Sequence, residues 1–324
     1  METDKGKFEF RPYTIEDEGQ MVSLWETVFN KKMPIELWRW KYHNNPYGIR
    51  MMLCVDEKGG IAAMFGGIPF PIKWNDRTAE MTHLMDNMSH PEFRGGGYFV
   101  RTITAFIEAF CGPERSVFLY GFPGKFHFEI GNKYHLYKEL AGGVTYLYAK
   151  PSDIAIKTDH GHFFKLDIGE NADFTIFDTI WNNVKSAYAY SVIRDGKFAK
   201  WRFSSHPFFK YDIWGYEMDG KIQAYAAVTI HKGKARIIDM VSAEAAVKPL
   251  IGILAGELDE KGVEMMETWL PKGHFIEREA FFLGMSTKEE PIGFIPTGRT
   301  FTDDLDFDWA AREIYYTMAD GDLF

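Results

Sequence analysis

The sequence predicts an α/β fold made of two tandem units. Strand-like apolar runs alternate with segments whose apolar residues recur at helical spacing. The chain has 324 residues, a length that favours two domains over a single core. A set of features also occurs twice along the chain in the same order, once in each half.

The first half is a series of short strands with helices between them. Strands are predicted at residues 8–13, 50–56, 60–72, 79–89 and 116–122. Helices are predicted at residues 17–29 and 34–42, and again after residue 97, where Phe99, Ile103, Phe106, Ile107 and Phe110 mark one face. After the strand at 116–122 we expect one more helix and then a hairpin that ends near residue 150.

The repeat is clearest around two tryptophans. The segment from Trp40 to Pro46, WKYHNNP, resembles the segment from Trp201 to Pro207, WRFSSHP, at an offset of 161 residues. A strand, a glycine-containing turn and a strand follow both segments. Further on, residues 86–89 (DNMS) resemble residues 239–242 (DMVS). We therefore predict one α/β unit in residues 1–150 and a second copy in 151–324, with 151–163 as a linker.

A glycine loop separates a strand from a helix in the first copy. Arg94 is followed by three consecutive glycines and then by Tyr98 and Phe99. Such a loop at a helix start can direct several N–H groups at a phosphate, although a flexible loop without a ligand would look the same. A P-loop would need lysine and serine or threonine after the last glycine, and the Rossmann fingerprint lacks its third spaced glycine. The second copy has neither the arginine nor the glycines.

The amino-acid composition argues against several other classes of protein. The formal net charge of −9 and the absence of a basic stripe argue against a nucleic-acid partner. The two cysteines, Cys54 and Cys111, are too few for a disulfide framework, so we expect a cytoplasmic protein. No apolar run approaches the length of a membrane helix, and no metal site is expected, although the short segment from Asp159 to His162 contains two histidines. Oligomeric state, monomer or homodimer, stays open.

The loop and the strand before it resemble a known family. The segment from Pro91 to Tyr98, PEFRGGGY, is similar to the central motif of the GCN5-related N-acetyltransferases (GNAT), with Arg94 and Gly97 at matching positions. Phe99 departs from the final glycine or alanine of that motif. Residues 10–14 (FRPYT) and 119–123 (LYGFP) resemble the first and fifth strands of the family. The resemblance covers residues 1–150, and the whole chain is similar to tandem GNAT proteins with a degenerate second copy.

The resemblance implies acetyl-CoA as co-substrate. Its pyrophosphate is expected on the loop formed by Arg94, Gly95, Gly96, Gly97, Tyr98 and Phe99. Its pantetheine arm is expected to pair like an extra strand with Asn87, Met88 and Ser89. An amine would then attack the thioester directly, and a backbone N–H where the fourth and fifth strands of the family separate would stabilise the oxyanion. No enzyme nucleophile is implied, so both cysteines are interpreted as core residues.

The general base and acid are less fixed by the resemblance. His83 falls where several family members carry a glutamate or histidine, although a histidine satisfied within the sheet is an equal alternative; Asp86 and Glu80 are rivals. Strand alternation puts His83, Met85 and Asn87 on one face unless a bulge intervenes. The usual acid is a tyrosine, and the alignment puts Gly131 at its position. Tyr134 is the candidate, with Tyr137 close by.

The predicted function is therefore transfer of an acetyl group from acetyl-CoA to a primary amine of an unidentified small molecule. The composition permits a cationic or sugar amine. Two alternatives remain: a non-catalytic GNAT-like module that binds CoA or a partner, and a FemABX-like aminoacyl transferase. The glycine loop and the negative net charge argue against the aminoacyl transferase.

Overall fold

The computed structural model describes residues 7–140, 142–154 and 161–321. In chain order, its strands are β1 Phe8–Pro12, β2 Arg50–Asp56, β3 Ile61–Trp74, β4 Arg77–Leu84, β5 Met88–Ser89, β6 Ser116–Gly121, β7 Lys138–Glu139, β8 Val144–Ala149, β9 His162–Leu166, β10 Tyr190–Val192, β11 Asp212–Met218, β12 Lys221–His231, β13 Lys234–Ser242, β14 Met265–Pro271, β15 Ser286–Lys288, β16 Thr297–Thr300 and β17 Ile314–Tyr315.

Helices cover both sheets. They are α1 Glu18–Phe29, α2 Ile35–Tyr42, α3 Tyr98–Phe110, α4 Lys125–Lys133, α5 Pro151–Ile154, α6 Thr175–Val184, α7 Gly196–Ala199, α8 Val247–Glu260, α9 Phe275–Phe282 and α10 Phe307–Glu313. The predicted elements of the first half are present within a few residues, apart from the end of the strand predicted at 79–89. No described helix is long and apolar enough to cross a membrane.

The two sheets repeat one strand order. The main path of the first sheet runs β1-β2-β3-β4-β6-β16-β7, and the second sheet runs β9-β11-β12-β13-β14-β8-β15. In each sheet the fourth and fifth strands are parallel, whereas their other neighbours are antiparallel. The fold class is therefore the mixed α/β architecture expected from the sequence, built twice.

The hairpin expected before residue 150 is absent, because the halves exchange strands. β8 follows β7 in the chain but pairs with β14 and β15 in the second sheet. In return, β16 leaves the second half and pairs with β6 and β7 in the first sheet. The sheets thus do not separate at residue 150, and the predicted domain limits stay a prediction. The predicted linker contains α5, and residues 155–160 lie outside the described part of the chain.

The two repeated tryptophans meet inside the hydrophobic core. The rings of Trp40 and Trp201 stack with centroids 4.9 Å apart and planes inclined by 11°. Each indole N–H donates to the backbone carbonyl of the other residue, both at 3.0 Å. Equivalent residues that bond each other reciprocally lie about a pseudo-two-fold axis, so the contact supports the interpretation of the sequence as two copies of one unit.

Helix α3 shows how one element is fixed by its sequence. It begins after Gly97, whose left-handed φ of 76° closes the preceding turn. Its apolar face carries Ile103 and Phe106 into the core formed with Phe65 of β3 and Met52 of β2. The helix ends at Phe110, where Cys111 adopts an extended backbone. Packing on the sheet therefore holds the start of α3 beside the end of β5.

Candidate active site where β4 and β6 separate

The site begins where two parallel strands part. β4 and β6 pair from Glu80 and Ser116 as far as His83 and Tyr120. β4 ends at Leu84, and Asp86 takes a left-handed φ of 53°. β5 then continues beside β3, while β6 ends at Gly121. The strand predicted at 79–89 is thus interrupted by a bulge, which leaves a gap between the end of β4 and the end of β6.

A cavity of about 520 Å³ opens at this gap. Its walls come from the end of β4, the segment after β6, α3, α4 and the loop between α1 and α2. Phe99 and Ile103 of α3 line one side, and His83 lies at the base of the gap. The size and the largely apolar lining are those of a small-molecule site with a few polar groups.

The glycine turn lies next to this cavity. Two of its glycines are favoured by their backbone conformation, and the third is favoured because a side chain there would have no space. Gly95 and Gly97 have φ of 80° and 76°, which disfavours other residues, and no heavy atom lies within 4 Å of where their Cβ atoms would stand. At Gly96 a Cβ would lie 2.3 Å from the ring of Tyr98. The turn thus leaves room for a ligand beside the first N–H groups of α3.

Arg94 connects the turn to the cavity electrostatically. Partial desolvation, together with the positive charge of Arg94, lowers the pKa of His127, which lines the cavity. The exposed guanidinium and the helix N terminus together make this end of the cavity suited to an anion. Asn87 lies beside it, and its Oδ1 accepts a hydrogen bond from the N–H of Gly66 at 2.8 Å.

Asp86 is the centre of a hydrogen-bond network. Its carboxylate accepts from Trp25 Nε1 at 2.9 Å, Lys41 Nζ at 3.0 Å and the Tyr42 hydroxyl at 2.8 Å. These donors come from α1 and α2, so the aspartate ties both helices to the end of β4. The side chain is only 8% exposed. Three donors on one buried carboxylate favour a positioning role over that of a base.

The two remaining candidate bases lie on opposite faces of β4. His83 is 4% exposed, lines the cavity and stacks on Tyr120 with centroids 4.8 Å apart. Met85 lies on the same side, as strand alternation predicts. Glu80 lies on the face toward α3, where it accepts from Ser116 Oγ at 2.7 Å and pairs with Arg50 at 3.2 Å. The structure therefore brings His83 to the cavity and leaves Glu80 outside its walls.

The two tyrosines considered as the general acid also differ in their position relative to the cavity. Tyr134 directly follows α4, is 49% exposed and does not line the cavity. Tyr137 does line it, and its hydroxyl donates to the carbonyl of His127 at 2.6 Å. A Cβ at Gly131 would lie 2.0 Å from Cζ of Tyr137, so this ring fills the space that a side chain at 131 would take. Burial raises the pKa of Tyr137 to about 12.

The cysteines behave as core residues. Both side chains are buried and free of disulfides. Burial raises the pKa of Cys54 to about 11 and that of Cys111 to about 12, so both remain thiols at neutral pH. Among the described residues, no group of three or more histidine, cysteine, aspartate or glutamate side chains could hold a metal ion. Asp159 and His160 of the histidine-containing segment lie outside the described residues.

The corresponding gap of the second unit is occupied by the chain itself. β13 and β14 pair only from Lys234 to Arg236 and from Met265 to Glu267. Beyond that point the C-terminal segment 314–320 packs against both strands. The Tyr315 hydroxyl donates to the carbonyl of Met240, and Thr317 Oγ1 donates to Asp239 at 2.7 Å. Asp239 and Met240 are the residues that the repeat aligns with Asp86 and Asn87.

The sequence did not indicate the loop 30–34 as part of the site, and it named Tyr137 only as a neighbour of the candidate Tyr134. The loop 30–34, with Lys31, Lys32 and Met33, enters the cavity wall together with Trp25 and Phe29 at the end of α1. Only the position of this loop between two predicted helices could have indicated it. Tyr137 lies in a loop after α4, and the absence of a side chain at Gly131 was the available signal.

Comparisons with known proteins agree with this architecture. The family described as "Acetyltransferase (GNAT) domain" matches residues 9–134. A probable N-acyltransferase from Enterococcus faecalis V583, a conserved protein of unknown function, superposes with a TM-score of 0.70 at 15% identity, covering 91% of this chain and 73% of that one. A GCN5-related N-acetyltransferase from Anabaena variabilis gives a TM-score of 0.68 at 14% identity, with the same coverage of 91% and 73%.

A third solved structure bears on the duplication. A tandem GNAT protein from the clavulanic acid biosynthesis pathway has a TM-score of 0.55 at 11% identity, covering 91% of this chain and 98% of that one. No curated protein sequence gives a significant match. Residues 9–134 therefore match the GNAT acetyltransferase domain, and the two sheets together have the fold of a tandem GNAT protein.

Proposed function

We propose that the protein is an acyl-CoA-dependent N-acyltransferase that moves an acetyl group from acetyl-CoA to a primary amine of a small molecule. One observation carries the proposal. A cavity of about 520 Å³ lies where β4 and β6 separate, and α3, which begins at the arginine–glycine turn, forms one of its walls through Phe99 and Ile103. Within a GNAT domain, this arrangement can hold a long anionic thioester and an acceptor together.

The turn fits the phosphates of CoA. The space around Gly95 and Gly97 accommodates an anion, and Arg94 supplies a positive charge there. The backbone of Asn87, Met88 and Ser89 would hold the pantetheine arm, because β5 pairs with β3 on one edge and borders the gap on the other. Acetyl-CoA supplies an activated acyl group, so the protein's task is to position the amine and move protons.

His83 is the proposed general base. Its ring lies at the base of the gap, and stacking on Tyr120 fixes its orientation. A neutral imidazole there can accept the proton of an ammonium group, directly or through one water. Asp86 holds Trp25, Lys41 and Tyr42 and so shapes the wall opposite.

Tyr137, in place of Tyr134, is the proposed proton donor to the leaving thiolate. It lines the cavity, and its ring occupies the space beside Gly131. A pKa raised to about 12 keeps the hydroxyl protonated at neutral pH, which is the state that a donor needs.

The test is release of CoA thiol from acetyl-CoA in the presence of a panel of primary amines. We expect amine-dependent release by the full chain, and a rate lowered by roughly 10²-fold or more in Tyr137→Phe, the usual scale for loss of a general acid or base. Tyr134→Phe is the matched control and should keep the wild-type rate. Acetyl-CoA binding without release with any amine would identify a non-catalytic CoA-binding protein instead.

A further inference from the structure

We propose that the acceptor amine also carries an anionic group, a carboxylate or a phosphate, and that Lys31 and Lys32 bind this group. The inference rests on the proposed function, because it concerns the acceptor side of the same cavity. The acceptor would carry an amine at one end, an apolar middle and an anionic group at the other end.

The charges that line the cavity are mostly positive. Lys31, Lys32 and Lys41 are among its described walls, whereas Asp86 is the one aspartate or glutamate there. This balance is opposite to that of the whole chain, whose formal net charge is −9. A cleft of one sign with low-dielectric walls concentrates ligands of the opposite sign.

Asp86 is not available to attract a cationic acceptor. Its carboxylate already accepts hydrogen bonds from Trp25, Lys41 and Tyr42 at 2.8–3.0 Å. A carboxylate with three donors, one of them an ammonium at 3.0 Å, has its charge compensated within the protein. A second cation in the cavity would therefore meet lysines without an accessible carboxylate among the described wall residues.

Lys31 and Lys32 differ in how far a neighbouring carboxylate compensates their positive charge. Lys32 Nζ lies 2.8 Å from Glu26 Oε2, but its side chain is 91% exposed, so this pair is strongly screened. Lys31 takes part in no ion pair among the described residues. Glu26 also accepts from the N–H of Met33 at 3.2 Å, which anchors the loop against α1.

The position of this loop separates it from the phosphate-binding turn. Ser23 and Leu24 of α1 border the same groove as His90 and Phe93, next to the glycine turn. One residue later Trp25 bonds Asp86, and Phe29, at the end of the helix, reaches the cavity. α1 rises about 1.5 Å per residue, so its last residue, Phe29, lies roughly 7.5 Å farther along than Leu24, and Lys31 follows two residues after that end. The lysines thus border the acceptor end.

The wall between the lysines and His83 is apolar. Phe29, Met33 and Leu37 line it together with Trp25. An acceptor that places its amine near His83 and its anion near Lys31 would therefore cover this wall with a hydrocarbon or aromatic body. A carboxylate and a phosphate share the required charge, and both can accept from the lysine ammonium groups.

The experiment uses triplets of primary amines that share one apolar spacer and end in a carboxylate, a carboxamide or an ammonium. One triplet is para-(aminomethyl)benzoate, para-(aminomethyl)benzamide and para-xylylenediamine. Thiol release from acetyl-CoA by the full chain is measured for each. We expect kcat/KM for the carboxylates to exceed that for the carboxamides by about tenfold or more, the effect of one charge-assisted hydrogen bond, with the diamines slowest.

Variants locate the effect. In the Lys31→Ala, Lys32→Ala double variant, the preference for the carboxylate over the carboxamide should disappear, and the KM of acetyl-CoA serves as the control for intact co-substrate binding. Lys58→Ala, which removes an exposed lysine in the turn between β2 and β3, should keep the preference. Equal or faster transfer to the carboxamides or diamines, or a preference that survives the double variant, would overturn the inference alone. Acetyl-CoA binding without release for any amine would overturn the proposed transfer reaction itself.

Discussion

Gly97→Glu should remove acetyl-CoA binding without unfolding the chain. Gly97 has a φ of 76°, and no heavy atom lies within 4 Å of its Cβ position, so the new side chain would extend into the space proposed for the pyrophosphate. It would also add a like charge. Loss of two hydrogen bonds to a charged group, at about 1.5–3 kcal/mol each, removes about 3 kcal/mol or more. That corresponds to at least roughly a hundredfold weaker binding.

The backbone effect of the substitution can be measured separately. Gly220, in the turn between β11 and β12, has a φ of 70° and equally open surroundings. A side chain in this left-handed conformation costs about 1–2 kcal/mol at either position. Gly220→Glu should therefore lower stability to the same degree as Gly97→Glu while keeping wild-type acetyl-CoA affinity by titration calorimetry. Equal affinity for acetyl-CoA in folded Gly97→Glu and in wild type would refute the phosphate-binding role of this turn.

Four further predictions address catalysis, symmetry and stoichiometry. His83→Gln should lower the transfer rate roughly 10²-fold or more with nearly unchanged CoA affinity, and the acidic limb of the pH–rate profile should flatten, because glutamine does not titrate; a wild-type rate and limb would make His83 a core histidine. The ratio of the wild-type rate to the Tyr137→Phe rate should stay constant from about pH 7 to about pH 10. The reason is that a hydroxyl whose pKa is raised to about 12 keeps its proton below that value. A ratio that falls across this range would contradict the role of Tyr137 as proton donor. Trp201→Ala should lower the free energy of unfolding by about 3–5 kcal/mol in denaturant titrations. The control, Trp214→Ala, changes a half-buried residue beside Phe163 and should lower it clearly less. Equal losses would contradict a particular contribution of the Trp40–Trp201 pair to stability. Native mass spectrometry should find one CoA per chain, because the gap of the second unit holds Tyr315 and Thr317; two CoA molecules per monomer would show this to be wrong.

Local sequence patterns predicted most of the first unit and the presence of a repeat. Apolar periodicity located β2, β3 and α3, and the similarity of two tryptophan segments indicated equivalent positions. The structure adds that Trp40 and Trp201 contact each other directly. Similarity between two segments reveals that they are equivalent, but it carries no information on whether they touch.

Long-range pairing set the limits of that prediction. β8 looks like the second strand of a hairpin with β7, but its partners are β14 and β15, more than a hundred residues away. The end of β4 was overestimated because Asp86 adopts a left-handed backbone that three donors from α1 and α2 hold in place. Neither effect leaves a trace in local apolar spacing.

The candidate site was predictable only where one segment supplies it. The glycine turn and its role at a helix start follow from residues 94–99. His83 was found by its distance along the chain from Arg94. Tyr137 and the lysine loop reach the cavity through the packing of α4 and α1, and Tyr137 replaces a side chain that Gly131 lacks.

The central claim is that this cavity transfers an acyl group to nitrogen. The most direct test follows an isotope-labelled acetyl group of acetyl-CoA by NMR in the presence of the full chain and the amine panel. We expect the label to move from the thioester to an amide, in an amount equal to the thiol released, and Gly97→Glu to abolish this transfer. Label that stays on the thioester while acetyl-CoA is bound, or that appears only as acetate, would contradict it.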